Sequence, residues 1–323
     1  MRELAKESEV LEQLAASLQI QPPSVELISV PLFAEKQLTV YMLRLDKLHA
    51  VVSGNKWYKL KFNILQALKQ NSKTIITFGG AWSNHLHAFS YVGRALGLKT
   101  VAVIRGDEWQ QKSNPLLNDI AEWGTELRFV SRAEYRRRYE RDYQRLLCRQ
   151  YPNSYLLPEG GDNYFGVLGV ASLVNDLSEQ DRELLAQTQT VGLACGTGNT
   201  LVGMRLALPA RQRVLGFAAL KGDWFAAMIS RKMAGVWPLQ LANWRVLDQF
   251  HEGGFAKVNG ELKDWMVGFE AQTGVPLDPV YTAKLLKGVV HLAAHDFFPV
   301  GHRLLVVHTG GLQGRRSLGI NSQ

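Results

Sequence analysis

The sequence predicts an α/β fold, and two patterns carry that prediction. Short apolar runs of β-type residues alternate with helical patterns almost from end to end of the 323-residue chain, which is typical of parallel strands joined by crossover helices. Two of the strands also lead through a glycine-containing turn into a helix. A chain of this length with 46% hydrophobic residues fills one large α/β unit or two closely joined domains. Strands are predicted at residues 74–78, 100–104, 126–130, 190–194, 214–218 and 304–308.

The clearest strand-turn-helix unit spans residues 73–105. The strand TIITF runs through a double glycine into a helix, and the strand TVAVI follows. The helix carries an apolar stripe near helical spacing that packs on the sheet: Leu86, Phe89, Gly93 and Leu96. Ser83, Asn84 and His85 then lie at the helix start, where free backbone N–H groups suit a carboxylate. Helix capping by Ser83 or Asn84 is a simpler interpretation, and it is compatible with ligand binding.

A second unit spans residues 191–206, with Gly196, Thr197, Gly198, Asn199 and Thr200 between strand and helix. Glycines let a backbone approach an anion closely, and unpaired N–H groups at a helix start point toward it. The turn lacks the lysine of a P-loop and does not complete GxGxxG. An anion site and an ordinary strand-to-helix turn therefore both fit.

Lys56 and Lys59 open another helical pattern, in the segment SGNKWYKL at residues 53–60. A lysine becomes a Schiff-base nucleophile when a partly desolvated site lowers its pKa, as in a cleft between domains. Taken alone, either lysine also fits a solvated surface charge. The pattern thus offers candidates for catalysis without choosing between them.

Composition excludes several classes of protein. Two cysteines are too few for a disulfide scaffold, and His85 and His87 have no metal-site motif around them, so we expect no metal. The net charge of +8 comes largely from residues 132–149, where arginines alternate with tyrosines at helical spacing; a solvated helix face is the favoured interpretation over nucleic-acid binding. No apolar run is long enough to span a bilayer and the start is charged, so we expect a cytoplasmic protein.

Six segments occur together in one order: SGNKWYKL, TFGGAWSNH, LPEGGDNYFGVLG, CGTGNT, LDPVYTAK and HTGG. In this order and spacing, over residues 40–312, the chain resembles the 1-aminocyclopropane-1-carboxylate (ACC) deaminase and D-cysteine desulfhydrase family of fold-type II pyridoxal 5′-phosphate (PLP) enzymes. The resemblance implies two open, twisted, mostly parallel sheets flanked by helices, as in the tryptophan synthase β subunit. It further implies a large PLP-binding domain at 1–58 and 160–323, a small domain at 59–159, and a homodimer.

The resemblance also implies roles for matching residues. Lys56 carries PLP as a Schiff base, and Lys59 is its helix neighbour. Asn84 contacts the ring hydroxyl and Thr282 approaches the ring nitrogen. The phosphate is held by the glycine-rich turn, at Gly196, Thr197, Gly198, Asn199 and Thr200. The residues that face the substrate are Ser83, Asn84, His85 and Tyr281, of which Ser83 and Tyr281 join Lys56 as catalytic candidates.

Departures from the family pattern bear on the substrate. Trp82 stands where members often have Gln, Phe255 where an active-site Tyr is expected, and the segment before GNK reads Leu43-Arg-Leu-Asp46. The family's deaminases carry Glu and Leu where this chain has Thr282 and Thr309.

A threonine holds the ring nitrogen closer to neutral than a carboxylate does, which favours expulsion of a good leaving group over opening of a strained ring. We therefore expect β-elimination from D-cysteine or a related small amino acid, giving a 2-oxo acid and ammonia. ACC deamination, a non-catalytic PLP-binding protein, and nucleotide binding by the Thr197 turn are the alternatives.

Overall fold

The structure, a computed structural model, describes residues 2–236 and 241–318. Its strands are β1 (Val25–Leu27), β2 (Thr39–Arg44), β3 (Thr74–Gly80), β4 (Lys99–Arg105), β5 (Glu126–Val130), β6 (Ser154–Leu156), β7 (Thr190–Cys195), β8 (Arg213–Ala218), β9 (Trp244–Leu247) and β10 (Arg303–His308). Its α-helices are α1 (Arg2–Ser17), α2 (Pro31–Glu35), α3 (Lys56–Lys69), α4 (Asn84–Ala95), α5 (Pro115–Glu122), α6 (Arg132–Arg136), α7 (Arg141–Gln150), α8 (Tyr164–Ala171), α9 (Glu179–Ala186), α10 (Asn199–Ala207), α11 (Phe225–Val236), α12 (Gly260–Thr273) and α13 (Thr282–Ala294).

The strands form two sheets. The larger sheet has the order β1-β2-β10-β7-β8-β9 and is parallel except for β1, which pairs antiparallel with β2. The smaller sheet has the order β5-β4-β3-β6 and is parallel throughout. All six predicted strands are present, and the structure adds β1, β2, β6 and β9. The predicted α/β class with two mostly parallel sheets is confirmed.

Burial on both faces explains why the central strands read as continuous apolar runs. Every residue of β7 is buried, as are the first six residues of β3. Parallel strands covered by helices on both sides lose the polar alternation of half-exposed strands. These two strands were for this reason the easiest to recognise, and each ends at a candidate site segment.

Helix α3 lies inside the molecule and joins the two sheets. Its buried residues include Leu60 and Ile64, which share one apolar cluster with Ile75 of β3 and Leu193 of β7. At about 25 cal/mol per Å² of buried apolar surface, this packing holds the helix far more firmly than helix propensity does. The position of its first residue, Lys56, is therefore set by the core.

The arginine-rich segment departs from the single helix predicted over residues 132–149. Helices α6 and α7 are separated by a 3₁₀ turn at Arg137–Tyr139 and by Glu140, which is extended. The break lets the buried faces of both short helices contact the small sheet. Six arginines of the segment are exposed, as the solvated-face interpretation requires: Arg132, Arg136, Arg137, Arg141, Arg145 and Arg149.

Arg138 is the exception in this segment. Its guanidinium lies over the rings of Tyr135 and Tyr139 and its Nε donates to Glu159 at 2.7 Å. The segment thus uses one arginine to contact the 159–163 loop that precedes α8.

The predicted domain limits at residues 58/59 and 159/160 stay a prediction. All strands of the smaller sheet lie between residues 74 and 156, and those of the larger sheet lie on either side of that stretch. Among the described residues, no helix combines the length and apolarity needed to cross a membrane.

Candidate active site

The candidate site lies where strands of both sheets end. The carboxyl end of β7 leads into Gly196, that of β3 into the turn before Ser83, and that of β10 into Thr309. In open parallel sheets, ligands bind outside the carboxyl ends of the strands. The fold therefore brings the predicted segments together at one place, although they lie far apart in the chain.

Lys56 begins α3 at the centre of this site. Its Nζ donates to Asn55 Oδ1 at 2.7 Å, and Asn55 Nδ2 donates to Thr200 Oγ1 at 2.8 Å. Desolvation lowers the pKa of Lys56 to about 8, while the nearby charge of Asp278 works in the opposite direction. A lysine of this kind is neutral often enough near physiological pH to act as a nucleophile.

A close backbone contact fixes the approach to Lys56. Gly54 has a φ of 73°, and a Cβ there would lie 1.9 Å from the carbonyl oxygen of Thr309. The Asn55 N–H donates to that same oxygen at 3.2 Å. Glycine is required because no side chain fits against the HTGG turn, so Gly54 and Thr309 hold the lysine opposite this turn.

The turn after β7 has the features of an anion site. Gly198 lies in the left-handed region with a φ of 86°, and α10 begins at Asn199. Within the described chain, no hydrogen bond uses the N–H groups of residues 197–200, and the buried Thr197 Oγ1 has no partner. Unpaired donors at a helix start attract a phosphate group. These features support the role predicted for Gly196, Thr197, Gly198, Asn199 and Thr200.

Lys59 adds a cation beside this turn, which the sequence had suggested only as a helix neighbour. It lies one turn after Lys56, is 7% exposed, and forms no ion pair within the described chain. Desolvation and then the charge of Lys56 lower its pKa to about 7, against the attraction of Asp162. The sequence signal that could have identified Lys59 as a site residue is its i, i+3 spacing from Lys56, because this spacing places both lysines on one face of the helix.

Lys232 of α11 binds the same turn and was not predicted from the sequence. Its Nζ donates to the Thr197 carbonyl at 2.6 Å and to Asn199 Oδ1 at 2.7 Å, and it pairs with Asp162. Asn199 Nδ2 donates in turn to the Gly161 carbonyl at 2.7 Å. The side chain of Asn199 thus shapes the turn, and its backbone remains available to a ligand.

Ser83 and Asn84 form the start of α4, as predicted. Ser83 Oγ caps the helix by accepting from the Leu86 N–H at 3.3 Å. Asn84 Nδ2 donates to the Gly311 carbonyl at 3.4 Å, and its buried Oδ1 has no partner among the described residues. A buried amide oxygen without a partner is suited to accept a hydrogen bond from a ligand.

His85 is a buried neutral imidazole. Thr77 Oγ1 donates to the Leu157 carbonyl at 2.8 Å, so the 2.9 Å contact to His85 Nε2 places the imidazole proton on Nε2. Burial, and then the charges of Lys56 and Lys59, lower the pKa of His85 to about 3. Its role toward a substrate stays a prediction, and its Nδ1 has no hydrogen-bond partner in the part of the chain that the structure describes.

Tyr281 faces the glycine turn. A Cβ on Gly196 would lie 3.2 Å from its ring, and the Phe255 ring centroid is 6.2 Å from that of Tyr281. Burial raises the pKa of Tyr281 well above its usual range, so the phenol stays protonated. The phenol expected at the position of Phe255 would have stood beside this one.

The hydroxyl of Thr282 is engaged by its own turn. It accepts from the Asp278 N–H at 2.6 Å and donates to the Asp278 carbonyl at 3.1 Å. Its role toward a ring nitrogen stays a prediction. Thr309, also buried, has no such local hydrogen bonds from its hydroxyl within the described chain.

Two departures from the family pattern have structural contacts of their own. Trp82 packs against the apolar cluster that contains Ala81 and Ile104. Arg44 and Asp46 form a two-pronged ion pair at 2.9 and 2.7 Å, in which burial opposes and the guanidinium favours a lowered pKa of Asp46. The altered segment before GNK therefore contains a buried ion pair with a structural role.

Two mostly parallel sheets, a desolvated lysine at a helix start and a glycine turn with free donors define a class of enzyme that holds a phosphorylated aldehyde cofactor through a lysine. The Thr197 hydroxyl, which has no partner among the described residues, and the buried Lys59 amine, whose protonated form a phosphate would favour, fit its phosphate. The chain belongs to the family of pyridoxal-phosphate dependent enzymes, whose model matches residues 25–310. PLP is the cofactor of this family, as predicted.

Similar proteins agree with the predicted resemblance. A Thermotoga maritima protein, provisionally named as a 1-aminocyclopropane-1-carboxylate deaminase, is 29% identical over 308 residues, which cover 92% of this chain and 96% of that protein. The bifunctional D-cysteine desulfhydrase/1-aminocyclopropane-1-carboxylate deaminase of Arabidopsis thaliana is 28% identical, covering 81% of this chain and 70% of its own. A crystal structure described as an ACC deaminase homologue has a TM-score of 0.76 at 26% identity, over 96% of this chain and 97% of the other.

Proposed function

We propose that this enzyme catalyses β-elimination from a small amino acid, most closely as a D-cysteine desulfhydrase does, with a 2-oxo acid and ammonia as products. The observation that carries the proposal is the desolvated Lys56 opposite an anion-binding turn with unpaired donors. The relatives act, by their names, on D-cysteine and on ACC. Both substrates are small α-amino acids that the same site must hold by amine and carboxylate.

When bound, PLP supplies an electron sink for the negative charge that develops at the substrate Cα. Lys56 Nζ holds the cofactor and, once displaced by the substrate amine, accepts the Cα proton. A group with a pKa of about 8 is well matched to this task near neutral pH. Lys59, Thr197 and the N–H groups at the start of α10 bind the phosphate.

The start of α4 orients the substrate. Its free backbone N–H groups and the Ser83 hydroxyl bind the carboxylate, and the Asn84 side chain reaches the cofactor. Tyr281 keeps its proton because its pKa is raised, so it orients by packing and by donating a hydrogen bond. Its phenol is not a base in the resting site.

The choice of D-cysteine over ACC rests on Thr282, where the family's deaminases carry a glutamate. A hydroxyl already engaged with the Asp278 backbone does not supply the negative charge that would keep a ring nitrogen protonated. A weaker electron sink still suffices when a thiol leaves. Loss of the phenol at Phe255 removes a further proton donor from the site.

The test uses one preparation of the full chain loaded with PLP. Pyruvate formation from D-cysteine and 2-oxobutanoate formation from ACC are measured side by side, and borohydride reduction with peptide mapping locates the cofactor. We expect D-cysteine to be the better substrate and the label to fall on Lys56. Efficient ACC turnover without D-cysteine turnover would contradict D-cysteine as the preferred substrate. A label on Lys59 would contradict Lys56 as the residue that holds PLP.

A non-catalytic PLP-binding protein is the second candidate, because Phe255 replaces a residue with a proton to give. Retained cofactor with no turnover of either amino acid would favour it. We also propose a cytoplasmic homodimer that binds no nucleic acid. The family resemblance supports the dimer, and light scattering of the purified chain tests it.

A further inference from the structure

Asp278 is a fully buried carboxylate on the wall of the site that neither the cofactor nor the substrate roles above employ. Its Oδ1 accepts from the backbone N–H groups of Val280 at 3.1 Å and Tyr281 at 2.6 Å, where α13 begins. Its Oδ2 is buried and has no hydrogen-bond partner among the described residues. A half-satisfied buried carboxylate is costly, so it calls for a positive charge or a donor nearby.

Two glycines that follow β10 lie against Oδ2. A Cβ on Gly314 would lie 3.0 Å from Oδ2, and one on Gly311 would lie 3.4 Å from Oδ2 and 2.7 Å from Asn84 Nδ2. Asn84 Oδ1, the other unpartnered oxygen, belongs to the same corner. Two acceptor oxygens, one of an amide and one of a carboxylate, thus lie beside Gly311 and Gly314 without donors from the described residues, and we call this place the Asp278 corner.

The segment that leads into Lys56 contacts the same HTGG turn as this corner does. Gly54 packs on Thr309 and the Asn55 N–H binds the Thr309 carbonyl, while Gly311 of the same turn packs beside Asp278. Within residues 2–236 and 241–318, the ammonium group of Lys56 has one hydrogen-bond partner, the neutral Asn55 Oδ1. The HTGG turn therefore contacts both the segment of a lysine that forms no ion pair and a carboxylate oxygen that accepts no hydrogen bond, as far as the described residues go.

Other charged groups around Asp278 are engaged elsewhere. Lys284 Nζ donates to the carbonyls of His251 and Gly254 at 2.9 and 2.7 Å. Arg315 pairs with Glu270 and donates to the Leu277 carbonyl at 2.9 Å. The remaining titratable groups on neighbouring elements are Tyr281, Glu159 beyond it, and the His308, Asp46 and Arg44 cluster behind the HTGG turn.

We propose that Asp278 is a positioning residue whose carboxylate is the buried countercharge of Lys56 and keeps the proton on the nitrogen that carries the cofactor. The proposal rests on the proposed function of Lys56. Electrostatics agree with the geometry: burial raises the pKa of Asp278 to about 7 and lowers that of Lys56 to about 8, and each charge opposes the shift of the other. The two groups thus titrate as a pair.

Asp278→Asn tests this proposal in the PLP-loaded full chain. Asparagine keeps an Oδ1 for the Val280 and Tyr281 N–H groups and removes the charge alone. The visible absorbance of the bound cofactor is titrated with pH in both proteins. We expect the midpoint to move down by about one pH unit or more, because removal of an opposite charge favours the neutral nitrogen. Competitive acylation of the cofactor-free chain should label Lys56 several-fold faster in the variant at neutral pH.

Two further variants sharpen the experiment. Asp176→Asn removes a carboxylate that pairs with Lys61 Nζ at 3.1 Å on the same helix, away from the HTGG turn, and should leave the midpoint where it is. Gly314→Ala places a methyl group 3.0 Å from Asp278 Oδ2, closer than an ordinary contact, and should shift the midpoint slightly in the same direction as Asp278→Asn because the crowded carboxylate must move from its present position.

The outcomes separate this inference from the proposed function. If the midpoint of the absorbance titration and the labelling rate of Lys56 are both unchanged in Asp278→Asn, Asp278 is not the countercharge of Lys56. If that variant does not fold, an unchanged midpoint in Gly314→Ala does so instead. Failure of the wild-type chain to form any borohydride-sensitive band on Lys56 would defeat the proposed function itself.

Discussion

At the scale of single residues, the site is defined by polar atoms that the protein leaves without partners. Thr197 Oγ1, Asn84 Oδ1 and Asp278 Oδ2 are all buried and unpartnered among the described residues. Burial without a hydrogen bond costs about 1–3 kcal/mol for each neutral group. A cofactor that satisfies the two neutral groups, Thr197 Oγ1 and Asn84 Oδ1, recovers that cost on binding, which favours tight retention.

Thr197→Ala should weaken PLP binding by about 1–2 kcal/mol, roughly tenfold, because one hydrogen bond to a charged phosphate is lost. The free energy of unfolding of the cofactor-free chain should hardly change, since Thr197 Oγ1 bonds nothing there. Thr200→Ala is the comparison, because it also leaves Asn55 Nδ2 unpaired and should reduce both quantities. Equilibrium dialysis and urea unfolding measure them, and PLP binding by both variants as tight as in wild type would exclude this turn.

Asp278→Asn should change how the stability of the cofactor-free chain depends on pH. The pKa of Asp278 is raised from 3.8 to about 7 on folding, so its favourable contribution is complete below pH 3.8 and is lost as pH rises through 7. The amide does not titrate. Relative to wild type, the variant should therefore gain stability between about pH 4 and 7, by on the order of a few kcal/mol. Parallel unfolding curves at pH 5 and pH 8 measure the difference, and an equal difference at both values would contradict it.

At the scale of elements, the junction of β7 and α10 depends on one backbone conformation. Gly198 has a φ of 86°, and a Cβ there would lie 2.0 Å from Ile229 Cδ1 of α11. Helix α11 also supplies Lys232, which binds the Thr197 carbonyl and Asn199. Strand, turn and two helices thus fit together only with a glycine at this position.

Gly198→Ala should lower the free energy of unfolding by about 2 kcal/mol or more, because left-handed backbone strain adds to the overlap with Ile229. PLP retention should fall with it. Gly268→Ala is a matched control on the exposed side of α12, where no atom lies within 4 Å of the new Cβ; it should stabilise by about 0.5–1 kcal/mol. Equal effects of the two substitutions on unfolding would refute the strain argument.

At the scale of the whole molecule, side chains from distant segments hold the two sheets around the site. Asp119 of α5, on the small sheet, accepts from His87 Nε2 at 2.9 Å and pairs with Arg316, which follows β10 of the large sheet. Burial first lowers the pKa of His87, while Asp119 raises it. The pairing therefore links the helix that carries Ser83 to the end of the chain.

Asp119→Ala should reduce the free energy of unfolding by about 1–2 kcal/mol, since partly buried hydrogen bonds to a charged group are lost. Asp142→Ala removes an exposed carboxylate 3.3 Å from Arg145 and should change it by less than about 1 kcal/mol. Thermal and urea unfolding give both values. If the two variants lose the same stability, Asp119 does not link the sheets as described.

The sequence by itself determined the class of fold and the backbone of the site. Doubly buried strands such as β3 and β7 are unmistakable apolar runs, and the glycine turns that follow them are local signals, because turn conformation depends on neighbouring residues. The Ser83 cap and the turn from Gly196 to Thr200 could be predicted from the sequence for that reason. Lys56 required the joint occurrence of several motifs.

Tertiary structure alone decided which side chains complete the site. Lys232 comes from a helix with no local mark of function, and Asp278 lies in the LDPVYTAK segment, where the sequence pointed only to Tyr281 and Thr282. Packing alone places the two charges against the Thr197 turn and the HTGG turn. The same packing broke the predicted 132–149 helix at Glu140. Charge pairing and the burial of polar atoms depend on residues that are far apart in the chain. Local sequence patterns therefore do not predict them.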